Sequence, residues 1–233
     1  IHLGERDCSI QRNHQKMIEE SPSAAVSPEL REKMGHAAVT AAKAAGYVNA
    51  GTIEFLLEPD GKFWFMEMNT RIQVEHPVTE WVTGIDLVKE QLKIASGMPL
   101  EIAQEDVRIQ GHAIECRINA ENPQKNFRPS PGTIQGAHFP GGNGIRVDTC
   151  VYNGCKIPPY YDSMLAKLIV HAGNRKEAIA KMQSALGEVI IDGIDTNIDY
   201  QYEILKDEDY QSGNFDTGFL ASHIIAGVKI NEN

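Results

Sequence analysis

The 233-residue sequence lacks features that are typical of several classes of protein. It has no run of about 20 apolar residues, which a membrane-spanning helix requires, and no start that resembles a signal peptide. Its 22 lysines and arginines are outnumbered by 32 aspartates and glutamates, which argues against a protein that coats nucleic acid. We therefore expect a globular cytoplasmic protein with no membrane segment and no nucleic-acid partner.

Cysteine is scarce as well. The four cysteines are Cys8, Cys116, Cys150 and Cys155, and no two of them form a CxxC pair. This spacing argues against a zinc site, and reduced thiols are usual in cytosolic proteins. Cys150 and Cys155 are close enough in the sequence for a disulfide to be considered, but we expect two free thiols.

A period of two is the most informative pattern that is present. Polar side chains alternate with apolar ones at Glu67, Asn69, Arg71, Gln73 and Glu75. In an extended chain this spacing places all of them on one face. The preceding segment, 63–66, is apolar and is expected in a core, where a terminal carboxylate needs a cation. A solvated strand face is the alternative, and we favour a functional ridge.

A hairpin is predicted just before this ridge. Strands over 52–58 and 62–69 are separated by Pro59-Asp60-Gly61, a typical turn sequence. Glu54 and Glu67 can then meet across the hairpin, and Asn69 can add an amide oxygen. Mg²⁺ prefers oxygen ligands and often takes only one or two carboxylates. The alternative is that both acids are solvated hairpin residues.

Helix signals and strand-rich composition occupy different parts of the chain. Ser27-Pro28-Glu29 predicts the start of a helix that runs to about Ala45 and stops at Gly46. From about Ile109 the sequence is strand-rich, with turns at glycine and proline. We therefore predict an α+β protein with two domains, residues 1–108 and 109–233.

Two arginines and one glutamate are candidates for the chemistry of a small anion. Arg71 and Arg117 carry guanidinium groups, which match carboxylate, carbonate and phosphate bidentately. For Arg117 a structural ion pair with Glu115, two residues away, is an equal alternative. Glu75 is a candidate general base, because burial or a nearby arginine can tune its pKa.

Several motifs together resemble the biotin carboxylases of the ATP-grasp superfamily. The most specific is the segment 67–80, EMNTRIQVEHPVTE, and the resemblance covers nearly the whole chain. Further matching motifs, in the family's order, are ERDCS (5–9), Gln11 with HQK (14–16), GTIEF (51–55), ECRINAE (115–121), PSPG (129–132) and PPYYDSM (158–164). The resemblance implies the C-terminal half of an ATP-grasp domain, followed by a strand-rich biotin carboxylase C-terminal domain.

The resemblance also implies a reaction and roles for individual residues. The family carboxylates biotin on a carrier protein, using ATP, two Mg²⁺ or Mn²⁺ ions and bicarbonate. By resemblance, Glu54, Glu67 and Asn69 hold the metal ions and Glu54, Glu67 and His14 bind ATP. Bicarbonate is held by Arg71, Gln73 and the backbone of Val74, and Glu75 removes its proton. Arg117 stabilises the biotin anion.

Partners follow from the resemblance too. We expect a biotin carboxyl carrier protein, carboxyltransferase subunits and a homodimer of the full-length enzyme, most simply an acetyl-CoA carboxylase of fatty acid synthesis. Alternatives are a pyruvate or propionyl-CoA carboxylase, or a non-catalytic dimerisation or carrier-docking fragment. We expect that the natural N-terminus is missing and that the chain alone is inactive. Asn13 stands where the family usually has Arg, a change that should tune the charge near the nucleotide more than abolish the chemistry. Asn143 stands where the family can have an aromatic residue, which leaves a dimer contact through Arg146 open.

Overall fold

The computed structural model describes residues 1–229 and contains fifteen strands in that part of the chain. The strands are β1 (Asp7–Arg12), β2 (Gln15–Ser21), β3 (Thr52–Leu57), β4 (Phe63–Asn69), β5 (His112–Asn119), β6 (Glu121–Asn122), β7 (Arg128–Pro129), β8 (Gly132–Thr133), β9 (Gly136–His138), β10 (Ile145–Thr149), β11 (Lys156–Ile157), β12 (Met164–Ala172), β13 (Ile190–Asp192), β14 (Ile224–Ile225) and β15 (Val228–Lys229).

Seven α-helices and two short 3₁₀ helices complete the described part of the chain. The α-helices are α1 (Pro28–Ala44), α2 (His76–Thr83), α3 (Leu87–Ala95), α4 (Arg175–Glu188), α5 (Ile198–Ile204), α6 (Glu208–Ser212) and α7 (Phe219–Ser222), and the 3₁₀ helices are Gln104–Asp106 and Pro123–Lys125. Among residues 1–229, no helix combines the length and apolar character needed to span a membrane. The predicted α+β class is confirmed.

The chain folds into two compact units that interleave in the sequence. Unit 1 contains Ile1–Arg6 and Ser21–Gln110, and unit 2 contains Asp7–Glu20 and the chain from Gly111 onward. The hairpin of β1 and β2 therefore belongs with unit 2. The division of the sequence into domains 1–108 and 109–233 stays a prediction.

Unit 2 is built on a five-stranded sheet with the strand order β1-β2-β5-β12-β10. Helix α4 contributes Ala178, Ile179, Met182, Ala185 and Leu186 to the hydrophobic core. These positions recur at the helical period, so they form one apolar stripe on the helix. The strands β5 and β12 contribute buried residues such as Ile114 and Leu168 to the same core. Unit 2 thus buries a continuous apolar interior.

Unit 1 contains the β3–β4 hairpin and the helices α1, α2 and α3. As predicted, α1 begins after Ser27, whose hydroxyl accepts a hydrogen bond from the Leu30 backbone amide, and Gly46 follows its end at φ +63°. The predicted hairpin is confirmed, with Glu54 directly opposite Glu67. A bulge follows Glu54, so that Phe55 pairs with Phe65.

The expectation that the segment 63–66 lies in a core is wrong. Trp64, Phe65 and Met66 are 57%, 60% and 47% exposed, and only Phe63 is partly buried. β3 and β4 form a two-stranded sheet with each other alone among the described residues. Because successive side chains of a strand point to opposite faces, the exposure of Trp64, Phe65 and Met66 shows that neither face of the hairpin is fully covered. Apolar composition indicates that a strand can be buried, but it does not supply the surface that buries it.

The predicted extended ridge is also shorter than the period of two indicated. Strand β4 ends at Asn69, and residues 70–75 form a bend and turn that lead into α2. Pro77 in the first turn of α2 and the helical hydrogen bonds that follow favour an early end to the extended chain. Of the alternating polar residues, Glu67 and Asn69 therefore lie on a strand, whereas Arg71, Gln73 and Glu75 lie in the irregular segment that follows it.

Candidate active site

Two carboxylates face each other across the hairpin of unit 1. Glu54 and Glu67 form a directly opposite cross-strand pair, and like charges in that position repel. The Asn69 side-chain amide lies between them: its Nδ2 donates to Glu54 Oε1 at 3.2 Å and to Glu67 Oε1 at 2.7 Å. Glu67 is exposed and Glu54 is half-buried. The pair is therefore a concentrated negative site that a cation can reach.

The cation-binding chemistry of this site is oxygen-rich. Two carboxylates and one amide oxygen are the donor set that Mg²⁺ or Mn²⁺ takes in proteins, with water and phosphate filling the other positions. The partially positive Asn69 amide nitrogen now occupies the place between the acids. For Asn69 to offer its oxygen, the amide has to turn, because its Oδ1 accepts from Arg71 Nη2 at 2.9 Å. The three residues fit a hard divalent cation.

Arg71 and Gln73 continue the cluster beyond the end of β4. The Gln73 Nε2 atom donates to Glu54 Oε1 at 2.6 Å, and Gln73 is 5% exposed. The Arg71 guanidinium is exposed and also donates to the Ile72 carbonyl at 3.2 Å. A guanidinium group, two amides and two carboxylates are thus linked in one hydrogen-bonded network. Such an arrangement can bind a small anion next to a metal ion.

Val74 and Glu75 lie in the turn before α2. Glu75 takes the N-cap position of the helix and is 2% exposed. The turn is closed by the His76 backbone amide, which donates to the Gln73 carbonyl at 3.2 Å. Pro77, Val78 and Thr79 are buried and anchor the first turn of the helix. The turn therefore holds Glu75 in a nearly closed environment, two residues after Gln73.

Arg6 organises this part of unit 1 and was not among the residues predicted for the site. Its Nη2 donates to Gln73 Oε1 at 2.5 Å and to Thr52 Oγ1 at 3.1 Å, and its Nη1 donates to Thr79 Oγ1 at 3.0 Å. One guanidinium therefore ties β3, the turn and α2 together. The ERDCS motif contains Arg6, but nothing in the sequence indicates which distant residues it joins.

Arg117 lies in unit 2, on the central strand β5. Its Nε is 2.6 Å from Glu19 Oε1, and the two side chains are 11% and 0% exposed. The alternative of an ion pair with Glu115 did not anticipate this partner, because Glu19 belongs to β2. Cys116, the next residue along β5, has a pKa well above its ordinary value, because it is buried and lies near Glu19 and Glu115. Arg117 is thus a nearly buried cation that is held by a buried carboxylate.

His14 lies at the tip of the β1–β2 hairpin, also in unit 2. Asn13 and His14 both have positive φ angles, +48° and +61°, and both are exposed. Asn is enriched in this left-handed region, which is a physical reason for Asn at position 13 of this chain. His14 is therefore displayed on a tight turn, next to Lys16 at the start of β2.

The structure brings together Glu54, Glu67, Asn69, Arg71 and Gln73 in unit 1 by direct hydrogen bonds. Val74 and Glu75 follow in the same turn. His14 and Arg117 belong to unit 2 and have their own surroundings there.

Two further predictions concern cysteines and Arg146. All four cysteines are free thiols, as predicted. Arg146 donates hydrogen bonds to Asp148 from Nε and Nη2, at 2.8 and 2.9 Å.

Two family profiles match the chain in succession. Residues 1–103 match the ATP binding domain of the carbamoyl-phosphate synthase L chain, and residues 115–222 match the biotin carboxylase C-terminal domain. The ATP-grasp fold and the C-terminal domain inferred from the motifs are thereby confirmed.

Similar proteins and structures agree with these profiles. The chain is 60% identical to biotin carboxylase 1 of Bacillus subtilis, over 97% of this chain and 51% of that protein. It is 57% identical to a pyruvate carboxylase subunit of Methanothermobacter thermautotrophicus, over 94% of this chain and 45% of the relative.

Among solved structures, the biotin carboxylase domain dimer of Hydrogenobacter thermophilus 2-oxoglutarate carboxylase, in complex with MgADP, ADP and bicarbonate, matches with a TM-score of 0.93. The identity is 53%, over 94% of this chain and 49% of that one. The chain thus spans about half the length of the relatives it matches. On its motifs, both family profiles and these relatives, the chain belongs to the biotin carboxylase family.

Proposed function

We propose that the chain forms the part of a biotin carboxylase that carries its metal, bicarbonate and biotin-anion residues. The observation that carries the proposal is the hydrogen-bonded cluster in unit 1, where Glu54, Glu67 and Asn69 are followed at once by Arg71 and Gln73. A hard-cation site beside an anion site suits a reaction between a metal-bound nucleotide and bicarbonate.

Glu54, Glu67 and Asn69 hold Mg²⁺ or Mn²⁺, and Glu54, Glu67 and His14 bind ATP. When bound, the metal ions neutralise charge on the ATP phosphates during transfer. Glu54 and Glu67 supply the negative charge that attracts the ions, and their mutual repulsion is relieved on binding. Gln73 keeps Glu54 oriented through its 2.6 Å hydrogen bond.

Arg71, Gln73 and the Val74 backbone seat bicarbonate, and Glu75 accepts its proton. A bicarbonate oxygen then attacks the γ-phosphorus, the bond to ADP breaks, and carboxyphosphate forms. Burial of Glu75 in the turn suits a base, because exclusion of water strengthens its interaction with a bound substrate. Carboxyphosphate decomposes to CO₂ and phosphate.

Arg117 acts in the second step. The released phosphate takes the proton from the biotin ureido nitrogen, and the resulting anion attacks CO₂. A guanidinium that is always charged and nearly buried stabilises negative charge on the ureido oxygen during this step. The Glu19 carboxylate lies 2.6 Å from Arg117 Nε and supplies a counter-charge for this nearly buried cation.

The partners of the full-length enzyme are a biotin carboxyl carrier protein and carboxyltransferase subunits, and the enzyme is a homodimer. The dimeric Hydrogenobacter domain, with its MgADP and bicarbonate, supports the dimer, the metal, the nucleotide and the anion. Free thiols in this chain suit a cytoplasmic location. We favour acetyl-CoA as the final acceptor, and the relative named for pyruvate carboxylase supports pyruvate as the alternative.

The test is ADP release by the full-length enzyme with ATP, Mg²⁺, bicarbonate and free biotin. We expect turnover that requires bicarbonate, and we expect none from the 233-residue chain alone. Replacing Glu67 by Gln should reduce turnover by at least about tenfold at limiting Mg²⁺. Replacement of residues that only orient metal ligands already causes a loss of this size.

The matched control is Glu58→Gln, an exposed acid just past the end of β3 that is outside the proposed site. It should retain full turnover. Wild-type rates in both Glu67→Gln and Glu54→Gln would overturn the metal assignment. A full-length protein without bicarbonate-dependent turnover would instead favour a non-catalytic docking role.

A further inference from the structure

A row of charged side chains crosses the sheet of unit 2 on the face that carries Arg117. Arg117 on β5 lies directly opposite Lys167 on β12, so both side chains point to the same side of the sheet. The next strand, β10, provides Asp148, whose Oδ2 is 3.3 Å from Lys167 Nζ. On the other side of Arg117, β2 provides Glu19. The order across the four strands is acid, base, base, acid.

This order has a physical consequence for Arg117. Two like charges directly opposite each other repel, and each therefore needs its own counter-charge. Lys167 is paired with Asp148, whose pKa is lowered by hydrogen bonds and charges from Arg146 and Lys167 that outweigh the effect of its burial. Glu19 plays the same part for Arg117 at the opposite end of the row. Repulsion from Lys167 and attraction to Glu19 act on the Arg117 guanidinium from opposite sides.

Burial of the Glu19–Arg117 pair costs free energy. Glu19 is completely buried, and taking a carboxylate out of water costs more than an ion pair usually returns. The carboxylate lies beside Nε, the guanidinium nitrogen next to the side-chain stem, so its attraction draws that edge of the guanidinium group toward β2. A buried acid at this place therefore controls orientation more than it adds stability.

We propose that Glu19 is the positioning residue that holds Arg117 in the orientation required to stabilise the biotin anion. The inference rests on the proposed function of Arg117 and adds a residue from a different strand to it. Glu19 does not touch the substrate in this account. Its effect passes through Arg117, so it should appear in the biotin step and not in the cleavage of ATP.

The neighbouring Glu20 provides a matched control on the same strand. It is 2% exposed and lies on the opposite face of β2, where its carboxylate contacts His112 Nε2 at 2.6 Å and Arg175 Nε at 2.8 Å. Glu19→Gln and Glu20→Gln each remove one buried charge from β2 and keep the side-chain shape. Only the first removes the carboxylate that lies against Arg117.

The experiment measures carboxybiotin formed per ADP released, with free biotin, in the full-length enzyme and in these two variants. We expect Glu19→Gln to lower this ratio by about ten- to a hundredfold, the range that is typical when residues that orient metal ligands are replaced. Bicarbonate-dependent ADP release in the absence of biotin should persist. Glu20→Gln should keep the wild-type ratio even if its melting temperature falls.

Glu19→Asp keeps the charge but draws it back by one methylene, and it should give an intermediate ratio. It decides the matter should Glu19→Gln fail to fold. A wild-type ratio in Glu19→Gln, or in Glu19→Asp in that case, would overturn the positioning role. Equal losses in Glu19→Gln and Glu20→Gln would overturn it too, because the effect would then be one of folding. A wild-type enzyme without bicarbonate-dependent ADP release would refute the proposed function itself, and with it this inference.

Discussion

The two units of the chain differ sharply in how they are built. Unit 2 encloses a core with fully buried side chains such as Ile114 and Leu168. In unit 1, the described aliphatic residues that are buried, besides Pro77, are Val26, Val78 and Val82, and α1 has no buried residue. Its hairpin instead exposes large apolar side chains on both strands, including Leu56 and Phe65.

The proposed site residues of the two units are therefore held in place by different interactions. The residues assigned to metal and bicarbonate are held mainly by hydrogen bonds to one another and to Arg6. Arg117 and Glu19 instead lie on strands of a packed sheet. Elements with few buried apolar contacts open locally at low cost in free energy. We therefore expect unit 1 to be the less stable of the two.

The largest effect is expected from one and the same substitution made in both units. Leu168→Ala in unit 2 removes a side chain that is 1% exposed, and it should lower the free energy of unfolding by about 2–5 kcal/mol. Leu56→Ala in unit 1 truncates a side chain that is 54% exposed and should change that free energy by less than about 0.5 kcal/mol. Urea unfolding followed by circular dichroism checks both, and equal losses would erase the contrast.

The second effect uses the position of the tryptophans. Both of them, Trp64 and Trp81, lie in unit 1, so their fluorescence reports on that unit. We expect the fluorescence transition in urea to precede the circular dichroism transition by about 1 M, because a stability difference of a few kcal/mol corresponds to that shift. Trp64→Phe, which leaves only Trp81, is the control for the exposed hairpin. Coincident transitions would show that the whole chain unfolds as one unit.

The sequence was sufficient for the parts of the fold that local chemistry determines. Ser27-Pro28 and Gly46 define the ends of α1, and the turn at Pro59-Asp60-Gly61 defines the hairpin and the opposition of Glu54 and Glu67. Asn69 lies beside both acids, although its amide nitrogen and not its oxygen faces them.

Features that depend on contacts between distant segments could not be predicted from the sequence. The exposure of Phe65 depends on which surface is available to cover it, and apolar composition does not contain that information. The turn at 70–75 satisfies the same alternation of polar residues as a strand does. Glu19 reaches Arg117 because β2 is the neighbour of β5 in the sheet, a pairing between segments far apart in the chain.

The third prediction concerns Arg6, whose hydrogen bonds join three segments of unit 1, a unit with few buried apolar side chains. Arg6→Ala removes donors to Gln73, Thr52 and Thr79, and it should lower the stability of unit 1 by about 1.5–3 kcal/mol. Arg6→Lys keeps the charge but not the planar fork, and it should recover only part of that loss. The fluorescence transition is the measurement. Wild-type midpoints in both variants would contradict the role given to Arg6.

The smallest effect concerns a surface contact of unit 2. The His223 Nε2 atom lies 3.0 Å from Asp209 Oδ2, and this hydrogen bond raises the pKa of His223 above 6.5. A raised pKa in the folded state stabilises the fold below about pH 6.5, and this contribution is lost as the pH rises through the folded pKa. His223→Gln should therefore cost stability at pH 5.5 but little at pH 8.5, by no more than about 1 kcal/mol.

The control for this pH dependence is Asp209→Asn, which removes the partner of His223. We expect the same small, pH-dependent loss in the circular dichroism transition. A loss that is equal at both pH values in His223→Gln would assign the effect to its ring packing on Phe219 instead.

We propose that unit 1 activates bicarbonate and that Arg117 of unit 2 acts afterwards on biotin. The direct measurement is the ratio of carboxybiotin formed to ADP released by the full-length enzyme in Glu75→Gln and in Arg117→Ala. Glu75→Gln should reduce both products together and leave the ratio unchanged. Arg117→Ala should spare much of the ADP release and lower carboxybiotin by about a hundredfold to a thousandfold, the usual cost of one preorganised charge contact. An unchanged ratio in Arg117→Ala would contradict the account.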